Sequence, residues 1–167
     1  MCYLKVAIVQ AKTQSDCNQI AQLASTIWKA HYIPIIGKLQ VEYMLHKFQS
    51  SEAIMHQIEN QMEYFMLKYE NNLVGYMAIK PEKHTLFLSK IYVLKDFQGM
   101  NIGKAAIHFV EVKARAYKLN SIRLTVNIHN KNAIAAYEKL GFKNTASCVT
   151  DIGNGFIMDD YEMKKRL

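Results

Sequence analysis

Proline occurs only twice and glycine seven times in 167 residues, so no Pro/Gly-rich linker or low-complexity tract divides the chain. Cysteine occurs three times, at Cys2, Cys17 and Cys148. That number is odd, and the three are far apart without metal-pair spacing. This excludes a disulfide framework and a zinc knuckle, and it fits a reducing, cytoplasmic compartment. No apolar run approaches the roughly 20 residues needed to cross a bilayer. The opening "MCYLKVAIVQAK" has Lys5 inside its short apolar stretch and no small-residue cleavage site, so it does not read as a signal peptide. Acidic residues are also in deficit, 14 against 21 Lys and Arg, for a formal charge of +7. The cations are scattered, with the tightest cluster at Lys164, Lys165 and Arg166. A solvated basic surface explains this better than a nucleic-acid stripe, so neither nucleic acid nor membrane is expected as a partner.

What is present is hydrophobic content, half of the residues, in a length suited to one domain spanning 1–167. "YLKVAIV" has the composition of a first strand. From Asp16 as N-cap, Ile20, Leu23, Ala24, Ile27 and Trp28 recur at helical spacing. Pro34 and Gly37 interrupt, and Val41, Met44, Leu45 and Phe48 then define a second helix. A third short helical piece carries Ile54 and Ile58. "MEYFMLKYE", a turn at Asn71-Asn72, "LVGYMAIK" and "TLFLSKIYVL" predict three consecutive antiparallel strands. A long helix follows from about Ile102 to Lys118, with Ala106, Phe109, Val110, Lys113 and Tyr117 along one stripe. "SIRLTVNI" alternates as a strand, "NKNAIAAYEKL" is a helix stopped by Gly141, and "FKNTASCVT" and "FIMDDYEMKK" form strands around the turn "DIGNG". The sum is an α+β fold: a helical front end, a meander, then a β-α-β-α-β-β tail.

The chemistry-bearing stretch is "KDFQGMNIGKAAIHF", between a strand and the long helix. A Walker loop needs four residues between its glycines, then Lys and a hydroxyl residue for magnesium. Here only "MNI" separates Gly99 from Gly103, and Ala105 stands where the hydroxyl should be. The dinucleotide fingerprint G-x-G-x-x-G is absent too, so nucleotide hydrolysis is disfavoured. What remains is "QGMNIG" opening a helix, whose first turn carries unpaired N–H groups and about half a positive charge. Glycines at such a helix mouth suggest a main-chain cradle for phosphate.

"QGMNIG" resembles the coenzyme A pyrophosphate loop of the GNAT family of N-acetyltransferases. "NIHNKNAIAAYEKLGF" resembles that family's second signature: an Asn, an Ala three residues on, a Tyr four further, then Lys-Leu-Gly-Phe. The resemblance covers roughly Leu73 to the C-terminus. It implies the GNAT fold, a single mixed, mostly antiparallel sheet of about seven strands flanked by about four helices. Asn101 stands where the family usually has glycine, and Asn is the side chain that best tolerates positive φ.

The resemblance further implies transfer of an acetyl group from acetyl-CoA to a primary amine by direct attack, with no metal. Residues Ile91, Tyr92 and Val93 would pair with the pantetheine arm as one strand pairs with another, on a bulged β-strand that splays from "RLTVNI". The amide of Tyr92 or Val93 would polarise the thioester carbonyl. Gln98, Gly99, Met100, Asn101, Ile102, Gly103, Lys104 and Ala105 would hold the diphosphate, with Asn130 and Ala133 contacting the coenzyme from the next helix. Tyr137 would act as general acid toward the departing sulfur. The base stays open among Asp159, Asp160, Glu162, Glu42, the histidines and a water chain.

The front end "TIWKAHYIPIIGKLQVEYML" is similar to that of polyamine and diamine acetyltransferase-like members, which implies Trp28, Tyr32 and Asp160 as acceptor-binding residues. A peptide or protein N-acetyltransferase is the competing enzyme reading, and a non-catalytic acyl-CoA-binding module the alternative from another class. Exposed strand edges allow a homodimer.

Overall fold

The computed structural model describes residues 5–167, so Tyr3 and Leu4 of the expected first strand lie outside the described residues. The described chain forms β1 (Val6–Gln10), α1 (Gln14–Ile36), α2 (Lys38–Gln49), α3 (Ser51–Glu59), β2 (Glu63–Tyr69), β3 (Asn72–Pro81) and β4 (Leu86–Val93). A one-turn 3-10 segment, Lys95–Phe97, leads to α4 (Ile102–Ala116), β5 (Ser121–Asn127), α5 (Lys131–Lys139), β6 (Lys143–Gly153) and β7 (Phe156–Arg166). The seven strands make one sheet in the order β1-β2-β3-β4-β5-β7-β6. Every neighbouring pair is antiparallel except β4 and β5. This is the α+β architecture expected, with five α-helices among the described residues rather than about four.

The sheet separates two cores because strand side chains alternate between faces. On one face Phe65, Leu67, Met77, Ile79, Leu88 and Ile122 pack against Ile102, Ala106, Ile107, Val110 and Ala114 of α4. On the other, Tyr64, Met66, Tyr76 and Ala78 pack against α1, α2 and α3 through Ile20, Trp28, Val41 and Ile54. The stripe foreseen on α4 holds at Ala106 and Val110. Lys113 and Tyr117 instead lie at its edge, where Lys113 Nζ is 3.5 Å from Glu63 and the Tyr117 hydroxyl donates to the same carboxylate at 2.7 Å.

Three local expectations are corrected. Thr13, not Asp16, is the N-cap of α1: the Asp16 N–H donates to Thr13 Oγ1 at 3.1 Å while Asp16 Oδ2 accepts from the Thr13 N–H at 3.0 Å. Asp16 therefore fills the third position of a capping box, and its acceptance of main-chain N–H bonds, first that of Lys12, lowers its pKa. Pro34 does not interrupt α1, which runs on to Ile36 and stops at Gly37 with φ of 87°. Proline there forgoes the N–H bond to the Ala30 carbonyl, and the helix continues only two residues beyond it. The hairpin between β2 and β3 turns at Glu70-Asn71, both with positive φ, one residue before the expected pair.

Gly75 fits β3 tightly against β4. A Cβ there would collide with the Tyr92 carbonyl oxygen and lie 3.2 Å from the Val93 Cα. Because the obstructing atoms are backbone, Gly75→Ala is expected to lower stability by about 1–3 kcal/mol. Urea unfolding should show a lower midpoint at unchanged slope.

Candidate active site

The site begins where the sheet parts. Strands β4 and β5 are in register only at Leu86↔Ile122 and Phe87↔Arg123. Beyond this, Ser89 is an extra residue on β4, because Ala78 pairs with Lys90 while Ile79 pairs with Leu88. That bulge increases local twist and turns β4 away from its neighbour. The Leu94 N–H donates to Val74 O at 2.8 Å. Main-chain groups of successive strand residues point to opposite edges, so those of Leu94 and Tyr92 face β3 and those of Ile91 and Val93 face the gap. Of the two amides named from sequence, Val93 is thus the one presented to a ligand, and Tyr92 contributes its side chain instead. Gln98 Nε2 donates to Val93 O at 3.2 Å and ties the loop to the end of the strand.

The loop then opens α4 with its donors free. Asn101 adopts the left-handed conformation, φ 61° and ψ 16°, and caps α4 without any side-chain cap bond. The conformation expected of glycine is therefore kept by asparagine. Among the described residues, no main-chain acceptor pairs with the N–H groups of Gly99, Met100, Asn101, Ile102, Gly103 and Lys104. Those at either end are occupied: Gln98 N–H donates to Lys95 O at 3.2 Å and Ala105 N–H to Asn101 O at 3.0 Å. The Ala105 amide closes the first helical turn, and Ala105 does not line the cleft that this loop borders. A Cβ at Gly99 or Gly103 would meet nothing within 4 Å, which leaves room for a ligand at both. A cleft of about 1030 Å³ runs from this loop along the gap to the front helices, lined by Gln98, Gly99, Asn101, Ile102, Gly103 and Lys104 at the loop end. Met100 does not line it and is exposed.

Ala133 and Tyr137 of α5 line the same cleft, as does Asn130 at its start. Asn130 is buried and makes no capping bond to its own helix. Its side chain instead interacts with His31, whose pKa is lowered first by burial and partly restored by that hydrogen bond. Tyr137 packs edge-on against Phe142, with ring centroids 5.8 Å apart, and burial pushes its phenol well above the ordinary range. A phenol so placed stays protonated and can donate a hydrogen bond.

The front helices close the other end. The Trp28 indole N–H donates to the Tyr76 hydroxyl at 3.0 Å, so Trp28 is a buried wall whose one polar group already has a partner. The Tyr32 and Tyr92 hydroxyls lie 3.0 Å apart across the cleft. Asp160, on β7 opposite Asn127 of β5, is buried while lining the cleft. Desolvation first, and then the adjacent Asp159, raise its carboxyl to about 6. Beneath these groups a chain of hydrogen bonds runs from Tyr76 to Gln49 Oε1 at 2.6 Å, from Gln49 Nε2 to Tyr64 at 3.1 Å, and from Tyr64 to Gln57 Oε1 at 2.6 Å.

The cleft thus gathers the residues expected from sequence to meet coenzyme, sulfur or acceptor, except Met100 and Ala105. Of the candidate bases, Asp160 and, among the histidines, His31 line it, whereas Asp159, Glu162 and Glu42 do not. Sequence reasoning missed Lys90, which also lines it. The signal for Lys90 was a lone cation inside an otherwise apolar strand, "FLSKIYV". Among the described residues no three His, Cys, Asp or Glu side chains gather as metal ligands.

Comparison with known proteins agrees with this geometry. A relative 27% identical over 112 residues, 62% of this chain and 64% of the relative, is an N-acetyltransferase of the pepI 3′ region in Lactobacillus delbrueckii subsp. lactis. The PaiA N-acetyltransferase of Thermoplasma acidophilum, solved in complex with coenzyme A, superposes with a TM-score of 0.83 at 20% identity over 97% of this chain and 99% of that one. A chimera of the spermidine N-acetyltransferase SpeG from Vibrio cholerae with hSSAT superposes at 0.70 and 17% identity, covering 97% and 95%. Residues 20–142 match the family described as Acetyltransferase (GNAT) family, and the chain belongs to that family.

Proposed function

We propose that this protein is an N-acetyltransferase that moves an acetyl group from acetyl-CoA to a small primary amine, both substrates being bound at once in the cleft. The observation that carries the reading is the run of free amides from Gly99 to Lys104 at the start of α4, beside the open edge of β4. Oriented N–H groups at a helix N-terminus attract a diphosphate without metal. The coenzyme A bound to the Thermoplasma relative supports the same assignment. Acetyl-CoA is the donor and supplies the acyl group already activated as a thioester.

The chain's own groups then divide the work. Ile91 and Val93 offer main-chain donors and acceptors along the gap, where an extended amide-bearing arm can pair with them. The Val93 N–H donates to the thioester carbonyl as charge builds on its oxygen. Tyr137 donates to the sulfur. Because burial raises its pKa, handing a proton fully to a thiolate, whose acid has a pKa near 8.5, is unfavourable. A hydrogen bond that strengthens as sulfur becomes anionic is the step this phenol can perform. At the other end Asp160 receives the acceptor's ammonium group and takes up its proton, for which a carboxyl near 6 is better suited than an ordinary one near 3.9.

Trp28 and Tyr32 wall the acceptor end. The resemblance of the front helices to polyamine-acetylating proteins, and the spermidine acetyltransferase chimera among the structural neighbours, support polyamines as one class of candidate acceptor. The free cysteines Cys17 and Cys148 suit a reducing, cytoplasmic setting. No helix among the described residues is long and apolar enough to cross a membrane. A second copy would pair at the β6 edge, exposed from Lys143 to Asp151.

Calorimetry should show coenzyme A binding that persists in EDTA, and Gly103→Asp should weaken it at least about tenfold by placing a carboxylate against the diphosphate. Tyr137→Phe should lower kcat by about tenfold or more with coenzyme affinity kept. Equal rates for Tyr137→Phe and wild type would overturn the acid role, and a wild type with no acetyl transfer to any amine would leave only an acyl-CoA-binding module.

Asp160 gives a paired prediction in activity and stability. Its folded pKa lies above its unfolded value, so the stabilising, protonated form is fully present below about 4 and lost as pH rises through about 6. Asp160→Asn is expected to be more stable than wild type at pH 8 by about 1–2 kcal/mol, a difference that vanishes by about pH 4. The same variant should lose amine turnover and the acid limb near pH 6 in kcat/KM, read from thermal melts and a pH–rate profile.

A further inference from the structure

Lys90 is a half-buried cation that the reaction above does not use. It follows the Ser89 bulge on β4 and pairs with Ala78, which puts its side chain on the face of α1, α2 and α3, opposite the core under α4. Its Nζ lies 2.9 Å from Ser89 Oγ and 3.4 Å from Gln57 Oε1, with the Tyr64 ring centroid at 5.6 Å. An ammonium has three donors, and these two neutral oxygens serve two of them. No carboxylate comes within ion-pair distance of Lys90 among the described residues. Desolvation alone pulls its pKa down to about 8.

The coenzyme does not account for this charge. The diphosphate cradle lies beyond the other end of β4, where Lys104 stands at the start of α4. Lys90 is directed to the acceptor half of the cleft. Two residues on, roughly 7 Å along the same face of the strand, Tyr92 meets the Tyr32 hydroxyl, and the Asp160 charge acts on Tyr32 in turn. The two linked phenols thus connect the face that carries the ammonium to the carboxylate. A half-buried cation without a counter-charge is costly, and Lys90 lines the cleft with one donor to spare.

We propose that Lys90, with the Ser89 hydroxyl beside it and Gln57 Oε1 orienting its ammonium from behind, forms a subsite for a carboxylate on the acceptor, so that the substrate is an amino acid-like molecule with its amine at Asp160 and its carboxylate at Lys90. This rests on the acetyl-transfer reading and narrows it. A single ammonium without any arginine lining the cleft suits a carboxylate monoanion rather than a phosphate. A polyamine would bring a second ammonium against Lys90.

Three five-carbon amines test the subsite: 5-aminopentanoate, 1-aminopentane and 1,5-diaminopentane. Their far ends are anionic, neutral and cationic at the same chain length. Each is titrated calorimetrically into the coenzyme A complex and assayed for thiol release from acetyl-CoA, with wild type and Lys90→Met. The expected result is that 5-aminopentanoate binds wild type about tenfold or more tightly than the other two, as a charge-assisted hydrogen bond requires. Lys90→Met should bring the acid to the level of 1-aminopentane while coenzyme A affinity reports an intact fold. Equal binding of the three by wild type, or preference for the diamine, overturns the subsite whatever the variant does. Selective binding of the acid without thiol release would support the subsite and overturn acetyl transfer instead.

Discussion

Strands β4 and β5 are joined by two residue pairs and then separate, and the functional arrangement follows from that parting. Inside a protein an unpaired peptide group costs free energy comparable to a lost hydrogen bond. A sheet that opens in its middle leaves the groups along the exposed edge to side chains such as Gln98, to water, or to a ligand that is itself extended and amide-bearing. The Ser89 bulge directs the separation, and the tight seat of Gly75 against Tyr92 and Val93 holds the far side of β4 to β3. One edge of the strand is fixed while the other is offered.

The front helices are held to this scaffold by polar contacts as well as apolar ones. Trp28, Tyr76, Gln49, Tyr64 and Gln57 form a continuous hydrogen-bonded chain under the acceptor end. It links α1, α2 and α3 to β2 and β3, and no side-chain polar atom buried among the described residues lacks a partner. Such a fully satisfied network specifies one arrangement of helices over sheet, because any slip would strand a donor or an acceptor. The walls of the acceptor end are thus set by geometry as strict as that of the core itself.

The two halves of the site differ in how far they could be read from residues. The coenzyme end was legible because its information is local: glycine spacing, a strand before, a helix after. Even there, register with β3 was needed to show that Val93 rather than Tyr92 faces the gap, and the first helical bond to show that Ala105 does not. At the acceptor end the informative contacts join residues far apart in the chain, Tyr32 with Tyr92 and Lys90 with Gln57. Lys90 reads as a surface cation until the bulge and the pairing with Ala78 fix its face. Thr13 was passed over as a cap because Asp16 is itself a good cap type, and only the reciprocal bonds separate their roles.

Asn101 holds a left-handed backbone at the mouth of α4. A glycine in that place would roam far more widely in the unfolded chain and surrender more entropy on folding. With asparagine the segment has fewer shapes to abandon, so the loop is set in advance of any ligand. An anion receptor built on such a loop, as proposed above, would discriminate by fit rather than by adapting and would give up little freedom when filled.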